Sequence, residues 1–156
     1  MYHVHIPGRG NLRLAHLVLD LNGTLAAGGE VRPGVAERLA QLAPRLRGHL
    51  LTADTRGTGA AIAQSLGLAL HRLEPGHEAA GKRAFVESLG AAHVVAVGNG
   101  ANDVEMLRVA ALGLAVLGPE GLAVPALQAA DVVVPHVGAA LDLLLDPARL
   151  VATLRT

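Results

Sequence analysis

Short apolar runs alternate with amphipathic stretches along most of the chain. The runs are too short for helices and nearly continuous in apolar residues, which is typical of strands buried on both faces of a parallel sheet. They lie at residues 16–21, 49–52, 68–71, 93–97, 114–117 and 132–134. The stretches between them predict helices over residues 33–43, 59–66, 77–89, 104–110, 124–130, 138–145 and 147–154. This alternation predicts an α/β fold whose parallel sheet carries helices on both faces.

Turn residues add two hairpins to this pattern. The N-terminal residues predict a hairpin with strands at 2–6 and 12–14, which we expect at an edge of the sheet. Gly28-Gly29 separates two short segments within residues 25–31, which predicts a small β-hairpin flap. Pro33 is expected to open the next helix, at a position where its missing N–H is not needed.

The composition excludes several classes of protein. The 156 residues suffice for one domain over residues 1–156, and a net charge of zero without a basic stripe makes nucleic acid an unexpected partner. The absence of cysteine excludes disulfides and thiolate nucleophiles. The longest apolar run, residues 109–118, is too short to span a bilayer, and the N-terminus lacks a signal-peptide pattern. We therefore expect a cytoplasmic protein with no membrane partner.

Lys82 is the only lysine among thirteen basic residues, the others being arginine. A sequence that uses arginine at every other basic position has a reason to keep one lysine. Lysine carries a compact point charge that suits a phosphoryl oxygen, whereas arginine presents a wide planar fork. This composition favours a functional role for Lys82, although chance remains the alternative from this feature alone.

Polar residues follow several of the predicted strands. Asp20 and Thr52 end two apolar runs, Asn99 to Asp103 follow a third, and Lys82 lies in the first turns of a predicted helix. In a right-handed wound sheet these groups meet at the carboxyl edge of the strands. A carboxylate can act as a nucleophile, a hydroxyl and an ammonium can hold phosphoryl oxygens, and two carboxylates can bind Mg²⁺. The set therefore predicts phosphoryl transfer.

Four motifs in the expected order resemble those of the haloacid dehalogenase-like (HAD) superfamily. Asp20-Leu21-Asn22-Gly23-Thr24 resembles the first motif, Asp-x-Asp-x-Thr, and Leu51-Thr52 resembles the second. Lys82 stands for the third motif, and Gly98-Asn99-Gly100-Ala101-Asn102-Asp103 resembles the fourth, Gly-Asp-Gly-x-Asn-Asp. Within the superfamily, the residues after Asp20 and Thr52 are most similar to the soluble P-type-ATPase-like branch.

The resemblance implies a Mg²⁺-dependent phosphohydrolase of HAD-like Rossmannoid fold that acts on a small phosphorylated substrate through a phospho-aspartyl intermediate. By this resemblance Asp20 is the nucleophile, and the catalytic residues are Asp20, Asn22, Thr52 and Lys82. The implied Mg²⁺ ligands are Asp20, the backbone carbonyl of Asn22, and Asn99 and Asp103 of the fourth motif. The implied substrate-binding residues are Leu21, Gly23, Thr52, Ala53, Lys82 and Asn102.

The chain departs from the family pattern at two positions. Asn22 replaces the aspartate that serves as general acid and base, a group that typically contributes a hundred- to ten-thousandfold in rate. Asn99 replaces a metal-binding aspartate, and its amide oxygen can coordinate only without charge. These changes predict a slow enzyme or one limited to good leaving groups. They leave open an alternative, a catalytically weak module that binds phosphate or a phosphometabolite and acts through partners.

The chain leaves no room for a cap domain. The residues between Thr24 and Leu50, and those between Ala53 and Lys82, are taken up by the predicted flap, helices and strands. Capless members of the superfamily often cover the site with a neighbouring subunit, commonly in tetramers. The resemblance therefore implies a homo-oligomer, with a tetramer favoured and the 26–31 hairpin near a neighbour.

Other candidate residues carry weaker signals. The eight histidines do not cluster at metal-ligand spacing, and His3 and His5 are expected to be solvated strand residues. His77 could face the site, and Arg56 could meet an anionic substrate. Asp54 is expected to serve a turn or a helix cap.

Overall fold

The computed structural model describes residues 1–54 and 57–156. Its strands are β1 (Tyr2–Ile6), β2 (Gly10–Leu14), β3 (His16–Asp20), β4 (Ala26–Ala27), β5 (Glu30–Val31), β6 (Arg47–Thr52), β7 (Ala69–Arg72), β8 (Val94–Gly98), β9 (Leu112–Val116) and β10 (Val132–Val134). Its α-helices are α1 (Val35–Leu42), α2 (Thr58–Leu66), α3 (Glu78–Ser88), α4 (Val104–Val109), α5 (Val124–Ala129), α6 (Val137–Leu145) and α7 (Pro147–Leu154). Short 3₁₀ turns cover Ala91–His93 and Ala101–Asp103.

Six parallel strands form the central sheet, in the order β10-β9-β8-β3-β6-β7. The strand that carries Asp20 therefore lies in the middle, between β6 and β8. Every residue of β8 and β9 is buried, because helices cover both faces of the sheet. The predicted α/β fold with a parallel sheet is confirmed.

The two faces of the sheet have separate apolar cores. One core joins the sheet to α1, α2, α6, α7 and the N-terminal hairpin, and the other joins it to α3, α4 and α5. Leucine, valine and alanine build both cores almost alone. Helix α1 shows why the pattern works, since Val35, Leu39 and Leu42 share one face of the helix and all three are buried.

Two local predictions need correction. Strands β1 and β2 form a hairpin as predicted, but it is a separate two-stranded sheet rather than an edge of the central one. Its buried residues, among them Tyr2 and Ile6, pack into the core on the face of α7. Pro33 precedes α1 instead of opening it, because the left-handed Gly34 (φ 79°) intervenes and caps the helix.

The flap after the first motif is confirmed. Strands β4 and β5 pair in antiparallel fashion, and Gly28 and Gly29 form the turn with positive φ. Within the described residues, only this flap and α1 lie between Thr24 and β6, and only α2 and β7 lie between β6 and α3, so neither segment holds a cap domain. No helix in the described ranges is long and apolar enough to cross a membrane.

Three histidines that are distant in the sequence form a row on the α3 side of the sheet. Nδ1 of His16 lies 3.0 Å from Nε2 of His49, and Nδ1 of His49 lies 3.2 Å from Nε2 of His71. The ring of Phe85, from α3, packs against His49 and His71 at centroid distances of 5.4 and 4.1 Å. The row forms because β3, β6 and β7 are neighbours in the sheet. His3 and His5 are exposed, as expected.

Candidate active site

A cavity of about 950 Å³ lies at the carboxyl edge of the central strands. Eight of the ten predicted site residues line this cavity: Asp20, Leu21, Asn22, Thr52, Ala53, Lys82, Asn99 and Asn102. The other two, Gly23 and Asp103, are buried next to lining residues. The cavity forms there because β3, β6 and β8 end side by side and their polar terminal residues leave the apolar layers together. The structure thus brings the residues of all four motifs to one place.

Lys82 joins the first and fourth motifs through a buried ion-pair triad. Its Nζ atom lies 2.6 Å from Oδ1 of Asp20 and 2.6 Å from Oδ1 of Asp103, and it also donates to Oδ1 of Asn102 at 3.2 Å. Lys82 is 2% exposed, so its aliphatic stem is enclosed and only a compact ammonium fits between the carboxylates. Two carboxylates and one ammonium leave a net negative charge, which a cation bound in the cavity would balance.

Burial and neighbouring charges act in opposite directions on the triad. Burial raises the pKa of the Asp20 carboxyl, and the charge of Asp103 raises it further, while Lys82 partly offsets both. Burial alone would lower the pKa of Lys82, but the carboxylates of Asp20 and Asp103 outweigh it and the pKa is raised. Lys82 is therefore a permanent cation in this site.

Asp103 organises the loop that follows β8. Its Oδ2 atom accepts hydrogen bonds from the backbone N–H groups of Asn99 and Gly100, both at 2.9 Å, while Oδ1 faces Lys82. A Cβ atom on Gly98 would lie 2.5 Å from Cγ of Asp103, so only glycine allows this approach. Both oxygens of this fully buried carboxylate are engaged with the protein.

Asn99 ties three segments together at the back of the cavity. Its Oδ1 atom accepts a hydrogen bond from the Thr24 hydroxyl at 3.1 Å, and its Nδ2 atom donates to the carbonyl of Gly121 at 3.2 Å. Its backbone carbonyl accepts from the N–H of Ala123. An aspartate could not donate to Gly121, so the amide suits this position structurally.

Thr52 lies at the end of β6 on the other side of Asp20. Its Oγ1 atom accepts a hydrogen bond from the N–H of Asp54 at 2.9 Å, and a hydroxyl that accepts still has its own O–H to donate. Asp54 in turn accepts from the N–H of Gly59 in the first turn of α2, the contact expected of a helix-capping carboxylate. The predicted contact of Arg56 with substrate falls outside the described residues.

The oxygen donors at the cavity fit Mg²⁺, although they carry less negative charge than the family pattern supplies because Asn99 replaces an aspartate. Within residues 1–54 and 57–156, no three His, Cys, Asp or Glu side chains are arranged to hold a metal ion. Magnesium needs fewer protein ligands, because it keeps several waters and binds through one or two carboxylates together with substrate phosphate. Asp20 would supply the carboxylate, and the Asn22 carbonyl and the Asn99 amide oxygen would be uncharged oxygen donors from residues that line the same cavity.

The sequence interpretation missed two acidic residues that line the cavity, Glu78 and Glu120. Glu120 follows β9, so the edge rule that selected Asp20 would also have selected it. Glu78 opens α3, four residues before Lys82. His77, which was a candidate, is an exposed residue at the N-terminus of α3 and does not line the cavity.

Two solved structures share the fold. The 3-deoxy-D-manno-octulosonate 8-phosphate phosphatase of Moraxella catarrhalis, solved with magnesium, phosphate and KDO, matches with a TM-score of 0.67 at 17% identity over 90% of this chain and 92% of that one. A zinc-transporting PIB-type ATPase in its E2.Pi state matches with a TM-score of 0.65 at 29% identity, over 79% of this chain and 20% of that one.

Sequence comparison identifies the family. An uncharacterized protein of Methanocaldococcus jannaschii is 45% identical over 62 residues, which are 40% of this chain and 67% of that protein. The haloacid dehalogenase-like hydrolase family matches residues 5–111, a span that holds all four motifs. The chain therefore belongs to the haloacid dehalogenase-like hydrolase family.

Proposed function

We propose that the protein is a Mg²⁺-dependent phosphohydrolase that works through a phospho-aspartyl intermediate on Asp20. The observation that carries this proposal is the ammonium of Lys82, buried between the carboxylates of Asp20 and Asp103 at the end of the central strand. A structural scaffold has no need for such a triad, since a buried ion pair of this kind contributes little net stability. The magnesium and phosphate in the structure of the Moraxella catarrhalis phosphatase give further support.

In the first step, a carboxylate oxygen of Asp20 attacks the phosphorus atom of the substrate. A new P–O bond forms, and the bond to the leaving group breaks with its electron pair. Lys82 and Thr52 donate hydrogen bonds to the phosphoryl oxygens and hold them in line. Leu21, Ala53 and Asn102, which line the cavity, bind the remaining substrate oxygens. Gly23 contributes through the shape of the turn after Asp20, whose positive φ of 76° suits glycine.

In the second step, water attacks the phosphorus and releases phosphate and the free Asp20 carboxylate. Bound at Asp20, the Asn22 carbonyl and the Asn99–Asp103 loop, Mg²⁺ would neutralise phosphoryl charge and polarise the phosphorus for attack. Asn22 cannot move a proton in either step, so the leaving group must depart unprotonated. We therefore expect acyl phosphates, phosphoanhydrides and aryl phosphates to be better substrates than sugar phosphates.

A second candidate function is a phosphate- or phosphometabolite-binding module with little turnover. The observation that favours it is the pair of amides, Asn22 and Asn99, at positions where an acid would serve catalysis or metal binding. The P-type-ATPase-like assignment favours the enzyme instead. Those pumps also lack the second acid of the first motif, and the likeness to the zinc-transporting ATPase supports this branch.

Hydrolysis of an aryl phosphate discriminates between the two functions. The parent protein is compared with Asp20→Asn, with and without Mg²⁺. Asp146→Asn is the matched control, because it makes the same chemical change at an exposed residue that caps α7, where asparagine caps equally well. The enzyme proposal predicts Mg²⁺-dependent turnover in the parent and the control and none with Asp20→Asn. Equal rates in all three proteins would refute it.

A further inference from the structure

The side chains of Glu120 and Asn99 both lie over Gly23, the residue that follows Asn22 with its proposed metal-binding carbonyl. A Cβ atom on Gly23 would lie 2.5 Å from Oε2 of Glu120 and 2.6 Å from Nδ2 of Asn99. The two side chains thus occupy the space that a larger residue at position 23 would fill. Gly23 also has φ 76°, so the turn after Asp20 requires glycine for its backbone as well.

The loop that carries Glu120 is fixed on this turn. Gly121 accepts a hydrogen bond from the Asn99 side chain, and its N–H donates to the carbonyl of Gly118. A Cβ atom on Gly118 would clash with the carbonyl oxygen of Gly23, so the two backbones are in close contact. Asn99, the residue without the expected charge, is therefore the residue that holds the carboxylate of Glu120 beside the first motif.

Glu120 has no hydrogen bond or ion pair to any residue in the described ranges, although it lines the cavity. Lys82, the cation in contact with Asp20, is already shared by Asp20 and Asp103. Among the described residues, Glu120 therefore places a carboxylate without a protein partner next to the turn after Asp20, whose backbone carbonyls are potential cation ligands. Hard divalent cations prefer this combination of carboxylate and carbonyl oxygens.

We propose that Glu120 supplies the negative charge that Asn99 lacks and is an acidic member of the Mg²⁺ site. The acidic ligand would then come from the loop after β9 instead of the loop after β8. The Asn99 amide holds the loop of Glu120 in place through its hydrogen bond to Gly121. This inference rests on the proposed function in one respect, namely that the site binds Mg²⁺. A carboxylate about 6 Å or less from a divalent cation strengthens binding by about tenfold even at the dielectric constant of water.

Calorimetric titration of the intact protein with MgCl₂ alone, without substrate, tests the inference. We expect Glu120→Gln to weaken Mg²⁺ binding about tenfold. Glu78→Gln is the matched control, because it removes a carboxylate that also lines the cavity but lies on α3, and it should change the affinity by less than about twofold. Asn99→Asp combined with Glu120→Gln should restore affinity to within about threefold of the parent, since the charge returns to the other loop.

Equal Mg²⁺ affinity for the parent and Glu120→Gln would overturn the inference, as would equal losses for Glu120→Gln and Glu78→Gln. Absence of Mg²⁺ binding to the parent would overturn it too, together with the metal dependence of the proposed function. Failure of the phosphatase proposal looks different, because Asp20→Asn would then hydrolyse aryl phosphate as fast as the parent. Thermal unfolding with and without Mg²⁺ supplies a second readout, since a ligand raises the midpoint only in variants that bind it.

Discussion

The Nζ atom of Lys82, on α3, lies 2.6 Å from Oδ1 of Asp20, at the end of β3, although 62 residues of sequence separate them. Because both groups are buried, neither can lose its partner to solvent. The second contact of Lys82, to Asp103, links the same ammonium to the loop after β8. The single lysine therefore links the first and fourth motifs, which the hydrogen bond from Thr24 to Asn99 also joins.

Replacing Lys82 by methionine should impair both folding and catalysis. Two buried carboxylates would face each other without a cation, and we expect a loss of about 3 kcal/mol or more in the free energy of unfolding. Loss of a hydrogen-bond donor to the phosphoryl group should lower kcat by at least about a hundredfold. Urea unfolding and aryl phosphate kinetics measure the two effects.

Lys82→Arg separates charge from shape. The guanidinium keeps the positive charge, but its planar fork is too wide for a site where the lysine is 2% exposed. We expect this variant to be more stable than the methionine variant and still about tenfold or more slower than the parent. A Lys82→Met protein with near-parental kcat would contradict the role assigned to the ammonium.

Asn22→Asp should change the choice of leaving group. An aspartate in this exposed position, on the lining of the cavity, can donate a proton to a departing alkoxide. Turnover of alkyl phosphates should rise about tenfold or more, whereas aryl phosphates, which need no proton, should gain much less. The measurement is the ratio of kcat/KM for the two substrate types at saturating Mg²⁺. An unchanged ratio would show that position 22 does not limit proton transfer.

The histidine row should make the fold sensitive to acid. Burial, together with the charges of His16, His71 and Arg47, lowers the pKa of His49 to about 4, from an ordinary value of about 6.5. The unfolded chain therefore binds a proton that the folded chain does not, and the stability present above about pH 6.5 falls as the pH drops toward 4. At pH 5 this one group costs about 2 kcal/mol.

His49→Gln tests this effect, because glutamine keeps one donor and one acceptor and does not titrate. Urea unfolding at pH 7.5 and pH 5 should show a smaller loss of stability in the variant than in the parent, by about 2 kcal/mol. His3→Gln is the control, since His3 is exposed and outside the row. Equal pH dependence in the parent and His49→Gln would mean that His49 binds its proton as readily in the folded protein as in the unfolded chain.

A homo-oligomer, with a tetramer favoured, is a further prediction. The flap residues Gly28 and Gly29 are exposed and also line the cavity, so a neighbouring subunit seated on the flap would close the site. Light scattering coupled to size-exclusion chromatography gives the mass directly. A monomer at all working concentrations would show that the cavity stays open.

The sequence predicted the sheet and the position of the site because both depend on local signals. Apolar runs ending in Asp20 and Thr52 identify buried strands, and the edge rule then groups their polar ends. The histidine row could not be predicted, because it depends on the diagonal register of β3, β6 and β7. The separation of the N-terminal hairpin from the central sheet could not be predicted either. The backbone groups at a strand edge are the same for every residue, so the sequence does not indicate which strand pairs with which.

Glu120 shows a different limit of prediction from the sequence. Its position after β9 carried a signal, but the motif pattern directed attention to Asn99 as the replaced ligand. Only the packing of the 118–121 loop on Gly23 shows that Asn99 holds another carboxylate beside the turn. Side-chain contacts between two loops depend on tertiary structure, so a sequence motif within one loop gives no information about them.

The most direct test of the account is to trap the phosphoenzyme. The parent protein is mixed with an aryl phosphate and Mg²⁺ and quenched in acid, and the peptide that contains Asp20 is examined by mass spectrometry. The proposed mechanism predicts one phosphoryl group on Asp20 in the parent and none in Asp20→Asn. The phosphorylated fraction should be larger in the parent than in Asn22→Asp, because the parent lacks a base for the second step. Turnover of the substrate without a phosphoryl group on Asp20 at any quench time, or with the group on another residue, would contradict it.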